Sequence, residues 1–306
     1  MKAALGALFR REYETIHALD GVSFRIADGE MVGYIGPNGA GKSSTIKIMS
    51  GILTPDSGSC RIDGRIPWKQ RAEHVKKIGV VFGQRSQLWW DVPVVDSFEL
   101  IRDIYEVEDA LYRKNLDRLT EQLELSQILR TPARQLSLGQ RMRCEIAASL
   151  LHSPKILFLD EPTIGLDAVS KIAVREFIRR LNREEGTTVL LTTHDMQDIE
   201  ALTERIILIG RGRILSDGPL SALRARRDSL RTLTLLFSGT LPEKLLPGIA
   251  LREQQGGRAV LEVDTGVLPV SEAISWLSGQ VEIGDLSIGG QSIDSLVADL
   301  YKEYAI

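Results

Sequence analysis

The sequence predicts an α/β fold built on a mainly parallel sheet, with a helical insertion and a separate C-terminal α+β domain. Three observations carry that reading. Through about residue 220, short apolar runs alternate with amphipathic segments; between about Arg85 and Leu150 the strand signal disappears; after Arg227 the texture changes again. With 306 residues the chain has room for about two domains, each large enough to bury a core. Its 43% hydrophobic and 26% charged residues sit near the globular average.

Taken in order, the opening stretch from Met1 to Thr15 runs into charge too soon for a secretion signal, and none is expected. A strand is expected over Ala18 to Phe24. The runs MVGYI (31–35), IGVVF (78–82), ILFLD (156–160), TTVLLTT (187–193) and IILIG (206–210) are apolar on both parities, as strands covered on both faces should be. Ala168 to Glu185 reads as an amphipathic helix with Ile172, Val174, Phe177, Ile178 and Leu181 as its apolar stripe. Asp109 to Leu129 places leucines at helical spacing among charges, the texture of a helical subdomain over about 85–150. The basic stretch RARRDSLR (224–231) reads as a linker, so the domains divide as 1–227 and 228–306. Beyond it, Thr232 to Phe237, Ala259 to Val263 and Val281 to Ile288 read as strands, Val270 to Leu277 and Ile293 to Tyr304 as helices.

Lys plus Arg number 38 against 41 Asp plus Glu, a net charge of −3, which argues against a nucleic-acid binder. Two cysteines, Cys60 and Cys144, lack the paired spacing of a zinc site and are expected as buried thiols. Runs of about 18 apolar residues are absent, so no membrane span is expected, although a membrane partner is compatible with the sequence.

Gly36-Pro-Asn38-Gly39-Ala-Gly41-Lys42-Ser43, with Ser44 next, fits the phosphate-loop pattern G-x-x-x-x-G-K-[ST]. Chance supplies that pattern in roughly one chain in a hundred of this length. Here it stands directly after one predicted strand and before a predicted helix, the context the chemistry needs. Glycines let backbone N–H groups turn inward around an anion, and the following helix presents its positive end. Lys42 neutralises the β- and γ-phosphates, and the Ser43 hydroxyl completes a Mg²⁺ shell. Downstream, ILFLD ends in Asp160 and Glu161, at the edge where an α/β sheet places its ligands. Asp160 suits the metal shell and Glu161 suits polarising an attacking water. Alone, the pair reads equally as ordinary strand-end acids; with the phosphate loop it reads as phosphoryl-transfer machinery.

Leu136-Ser137-Leu138-Gly139-Gln140 lies between these elements, and with it the chain resembles the ATP-binding subunit of an ATP-binding cassette (ABC) transporter over about residues 10–222. The family signature is LSGGQ, and Leu138 departs from it. The resemblance implies that Ser137, Gly139 and Gln140 approach the γ-phosphate. It implies that Gln84 is the loop glutamine that senses metal and water, that Asp167 in Gly165-Leu-Asp167 belongs to the loop after the carboxylates, and that His194 contacts the γ-phosphate. Tyr13 fits the aromatic that stacks on adenine. Alone, His194 reads as structural and Tyr13 as a surface aromatic. ATP and Mg²⁺ are the implied cofactors. No guanine-reading motif of the NKxD type occurs.

The family closes two cassettes head to tail on ATP, so a homodimer is the simplest assembly, with a different cassette as the alternative partner. The segment Arg85 to Pro93 lies where the family docks its membrane permease. Trp89 and Trp90 within it read either as core of the helical subdomain or as interface anchors. Together with Pro162 to Asp167 they resemble a bacterial subgroup serving ABC-2 type exporters, some named viologen exporters. The C-terminal domain is similar to that of exporter cassettes, either dimer-stabilising and regulatory or a packing appendage. The implied location is the cytoplasmic face of the cell membrane, held through the permease. The alternatives are an importer subunit, and a soluble ABC ATPase acting on nucleic acid or ribosomes.

Overall fold

The computed structural model describes residues 17–83, 85–225, 229–242, 244–290 and 293–304. The five apolar runs form β1 (Met31–Ile35), β2 (Ile78–Phe82), β3 (Ile156–Asp160), β4 (Thr188–Thr192) and β5 (Arg205–Gly210). With β6 (Arg213–Pro219) they make a six-stranded sheet of order β2-β3-β4-β1-β5-β6. β2 with β3, β3 with β4 and β4 with β1 are parallel. Every residue of β1 and β4 is buried, which is why neither strand alternates in polarity. The register sets the site: Phe82 lies opposite Asp160, Asp160 opposite Thr192, and Thr192 opposite Tyr34. The carboxyl ends of four neighbouring strands therefore finish level, and their loops leave along one edge.

α1 (Lys42–Met49) follows β1 and α2 (Arg71–Val75) precedes β2. Between β2 and β3 the described residues carry α3 (Val94–Ile104), α4 (Asp109–Gln122), a short 3₁₀ turn (Ala133–Gln135) and α5 (Leu138–Leu150), without a strand. α6 (Ala168–Glu185) buries Val174, Phe177, Ile178 and Leu181, but Ile172 of the expected stripe is 54% exposed. Residues 18–24 are not a strand. Gly21 takes a φ of 67°, which breaks extension, and the Asp20 N–H donates to the Gly212 carbonyl, while Phe24 lies against Tyr34. Cys144 is buried, whereas Cys60 is only half-buried. Burial pushes the Cys144 thiol up to about 12.

The chain divides into two compact units, one ending at His194 and regaining Ile207–Asp217, the other Asp195–Ile206 with Gly218–Ile306. The expected boundary at 227/228 lies outside the described residues. The second unit carries α7 (Met196–Leu202), α8 (Leu220–Ala225) and an antiparallel sheet of β7 (Leu230–Ser238), β8 (Ile249–Gln255), β9 (Arg258–Asp264) and β10 (Glu282–Gly290), in the order β10-β7-β9-β8. α9 (Val270–Ser278) supplies Ala273 and Leu277 to a core with Leu233, Leu235, Leu261 and Val263. α10 (Ile293–Glu303) buries Ile293, Leu296, Val297 and Leu300.

Candidate functional site

The loop from Gly36 to Gly41 joins β1 to α1. Gly41 has a φ of 109°, and a Cβ there would stand 2.6 Å from the Ala18 carbonyl oxygen, so no other residue fits. No side chain caps α1, and its first N–H groups are left to the loop. Asn38 and Gly39 are exposed at the crest, Gly36 is buried at its base, and Ser44 is half-buried on the helix. Lys42 is 8% exposed, and its Nζ donates to the carbonyls of Gly36 (2.6 Å) and Pro37 (3.1 Å). One of its three donors is therefore left for an anion. Burial lowers the Lys42 pKa, and the charges of Glu161 and Asp160 oppose that.

Asp160 and Glu161, adjacent at the end of β3, point to different partners. Asp160 Oδ2 accepts from the Ser43 hydroxyl at 3.1 Å and Oδ1 from the Thr192 hydroxyl at 2.5 Å. Glu161 holds a φ of 57°, uncommon for a residue with a side chain, and its N–H donates to the Thr192 carbonyl. Its Oε2 lies 2.8 Å from Nδ1 of the exposed His194. This turn delivers one carboxylate to α1 and the other to the loop after β4. Thr192 escaped the sequence reading because it sits inside an apolar run; a hydroxyl two residues before His194 was its only signal.

A Mg²⁺ ion suits this donor set. It favours one or two carboxylates together with substrate phosphates over an all-protein cage. Ser43 and Asp160 supply one hydroxyl and one carboxylate in contact, and among the described residues no group of three or more His, Cys, Asp and Glu is arranged to hold a metal ion by itself.

Ser137 caps α5. Its hydroxyl accepts from the Gln140 N–H at 3.1 Å, and Gln140 Oε1 accepts from the Ser137 N–H at 2.9 Å. A Cβ at Gly139 would stand 2.4 Å from Ser170 Oγ, which explains glycine at that signature position. Asp167 caps α6, accepting from the Ser170 N–H (2.9 Å) and hydroxyl (2.8 Å), and these bonds hold its carboxyl below the usual range. Leu138, the departure from the signature, covers Gly165: a Cβ there would stand 2.8 Å from Leu138 Cδ2. The structure thus joins Ser137, Gly139, Gln140 and Asp167 into one surface, with Val169 (78% exposed) and Ile172 beside it. Among the described residues, no hydrogen bond links this surface to Lys42, Asp160 or Glu161.

Trp89 and Trp90 are 59% and 52% exposed, so they are not core. Leu88 is buried in their place, and the Arg141 guanidinium stands 5.8 Å over the Trp90 ring. The expected roles of Tyr13 and Gln84 fall outside the described residues.

A family model described as "ABC transporter" matches residues 19–164. The daunorubicin resistance ATP-binding protein DrrA3 of Streptomyces coeruleorubidus is 33% identical over 89% of this chain and 84% of its own length. The ABC transporter ATP-binding protein NatA of Bacillus subtilis (strain 168) is 32% identical over 79% and 96%. The Nod factor export ATP-binding protein I of Ralstonia nicotianae is 35% identical over 68% and 64%. Among solved structures, the dimeric post-hydrolysis state of the ATP-binding cassette MJ0796 with ADP and Pi matches with a TM-score of 0.62 and 29% identity, over 69% of this chain and 94% of that one.

Proposed function

Because the chain belongs to the ABC transporter family and is an ATP-hydrolysing transporter subunit, we propose that it powers an ABC-2 type exporter from the cytoplasmic face of the cell membrane. The observation that supports the catalytic part most directly is the pairing of Ser43 with Asp160 and of His194 with Glu161 at one sheet edge. The backbone N–H groups of residues 38–44 and the remaining Lys42 donor cradle the β- and γ-phosphates. Asp160, Ser43 and Gln84 hold Mg²⁺, which supplies charge neutralisation for the transferred phosphoryl group. Glu161 takes a proton from the attacking water, and His194 orients that carboxylate and reaches the γ-phosphate. Tyr13 stacks on the adenine.

Ser137, Gly139, Gln140 and Asp167 complete the site of a second copy of the chain, since among the described residues the side chains of Ser137, Gln140 and Asp167 bond at their own helix ends. Donors supplied in trans stabilise the charge that develops on the γ-phosphate. The exposed apolar side chains around them support burial in a homodimer. Trp89 and Trp90 receive the permease. No helix among the described residues is long and apolar enough to cross a membrane, and the permease holds the chain at the membrane face. Export is supported by the names of the Streptomyces and Ralstonia relatives, which speak of daunorubicin resistance and Nod factor export. The C-terminal domain, 228–306, stabilises or regulates the dimer.

Glu161→Gln tests the reading. It is expected to keep ATP, to lose about 10²- to 10⁴-fold in turnover, and to double in mass with ATP by light scattering. Turnover at the wild-type rate, or a monomer in ATP, overturns it.

A further inference from the structure

Glu145 is a buried carboxylate with no part in the chemistry described so far. It lies two turns into α5 and is 4% exposed. Both of its oxygens are occupied: Oε1 accepts from the Ser86 hydroxyl, and Oε2 accepts from the Gln87 N–H at 3.1 Å. The Ser86 oxygen accepts in turn from the Leu88 N–H at 3.1 Å. The Gln87 side chain donates to the Glu145 backbone carbonyl (3.2 Å) and reaches the Val80 carbonyl of β2 (3.4 Å). Residues 86–88 therefore hang on one glutamate. Burial pushes its carboxyl up, while the Ser86 and Gln87 donors and the Arg141 charge act against that rise. An apolar side chain fills such a position in a helix at lower cost, so the carboxylate is explained by what it holds.

The held segment leads straight to the exposed tryptophans. The Trp89 N–H donates to Ser97 Oγ on α3 at 3.0 Å, and Trp90 lies under Arg141 of α5. Residues 137–145 thus carry the signature, the cation that meets Trp90 and the anchor of residues 86–88 on a single rigid element. Ser86 also follows Gln84 by two residues in the sequence.

The geometry points to Glu145 as a positioning residue: it ties the segment 86–90 to the helix that begins at the signature, so that a load on the tryptophan pair moves Ser137 and Gly139 with it. The inference rests on the ATPase reading above, in which Gln84 and the signature both serve turnover.

The test uses the full chain and four forms: wild type, Glu145→Gln, Ser86→Ala and Ser86→Thr. Glutamine keeps the shape of the side chain but offers one acceptor oxygen to two donors. Amide exchange at Gln87 and Leu88 is expected to rise about tenfold or more in Glu145→Gln and Ser86→Ala, with β3 and β4 unchanged. The kcat for ATP is expected to fall about five- to tenfold with KM within about twofold, because the phosphate loop is untouched. Ser86→Thr restores the hydroxyl and returns both readouts to wild type. Unchanged exchange at 87 and 88, kcat and KM moving together, or Ser86→Thr behaving as Ser86→Ala overturns the inference. If Glu145→Gln also raises exchange in β3 and β4, the two Ser86 variants decide alone. A wild-type chain without ATP turnover overturns the ATPase reading instead, and the exchange data then decide the tether by themselves.

Discussion

At the carboxyl ends of β1, β3 and β4, Lys42, Asp160 and Glu161 all find partners within the chain. On the surface shared by α5 and α6, Leu138, Val169 and Ile172 face outward, and the polar groups of Ser137 and Asp167 do no more than cap their own helices. The first region is held by strand register and is ready for an anion as it stands. The second is a surface whose polar groups are already used in caps and whose exposed apolar side chains gain by being covered. In the proposed function the difference separates binding from turnover: one chain would hold nucleotide at the first region, and hydrolysis would wait for the second region of another chain.

The largest expected effect breaks the first region alone. Lys42→Ala removes the buried ammonium, and turnover should fall by about 10²- to 10³-fold or more, together with nucleotide affinity. Phosphate release and fluorescent-nucleotide binding measure the two. Turnover near wild type would show that the loop is no cradle.

The next effect sharpens the picture of α5, capped by its own signature at one end and anchored at the other. His152, just past the helix, bonds the Ile78 carbonyl of β2 through Nε2 at 2.9 Å and stacks on Tyr105, and its buried Nδ1 has no partner. Burial holds its pKa down at about 4. Histidine in the unfolded chain titrates near 6.5, so the unfolded state takes up a proton first as pH falls. Stability from this group is full above pH 6.5 and declines by about 3 kcal/mol as pH falls to 4. Urea unfolding at the two pH values should show that decline, and His152→Phe should remove it; an equal decline in the variant refutes the anchor.

The smallest effect distinguishes the regions most finely. Ser137→Ala deletes the cap of α5 and should cost about 1 kcal/mol of stability in urea unfolding. Nucleotide affinity of the single chain should stay at wild type while turnover falls. If affinity falls as in Lys42→Ala, the two regions are one site and the comparison fails.

Much of this was legible because it is local. The phosphate loop, the paired carboxylates and the signature are each continuous in sequence, and the central strands declare themselves by being apolar on both faces. β8 escaped because six of its seven residues are exposed, leaving no alternation to read. The stripe of α6 was overextended by Ile172, since periodicity finds a face without saying where its cover ends.

The sequence by itself determined the α/β class, the central strands, and that the phosphate loop, the paired carboxylates and the signature are each one local cluster, because adjacent residues on one strand end or one loop cannot be far apart. Only the tertiary structure decided that Ser43 meets Asp160 across 117 residues, that Thr192 takes the other carboxylate oxygen, that Glu145 holds Ser86 across 59, and that Trp89 and Trp90 face outward. Those pairings depend on strand register and helix placement, which the packing of the whole sheet sets and no local pattern encodes.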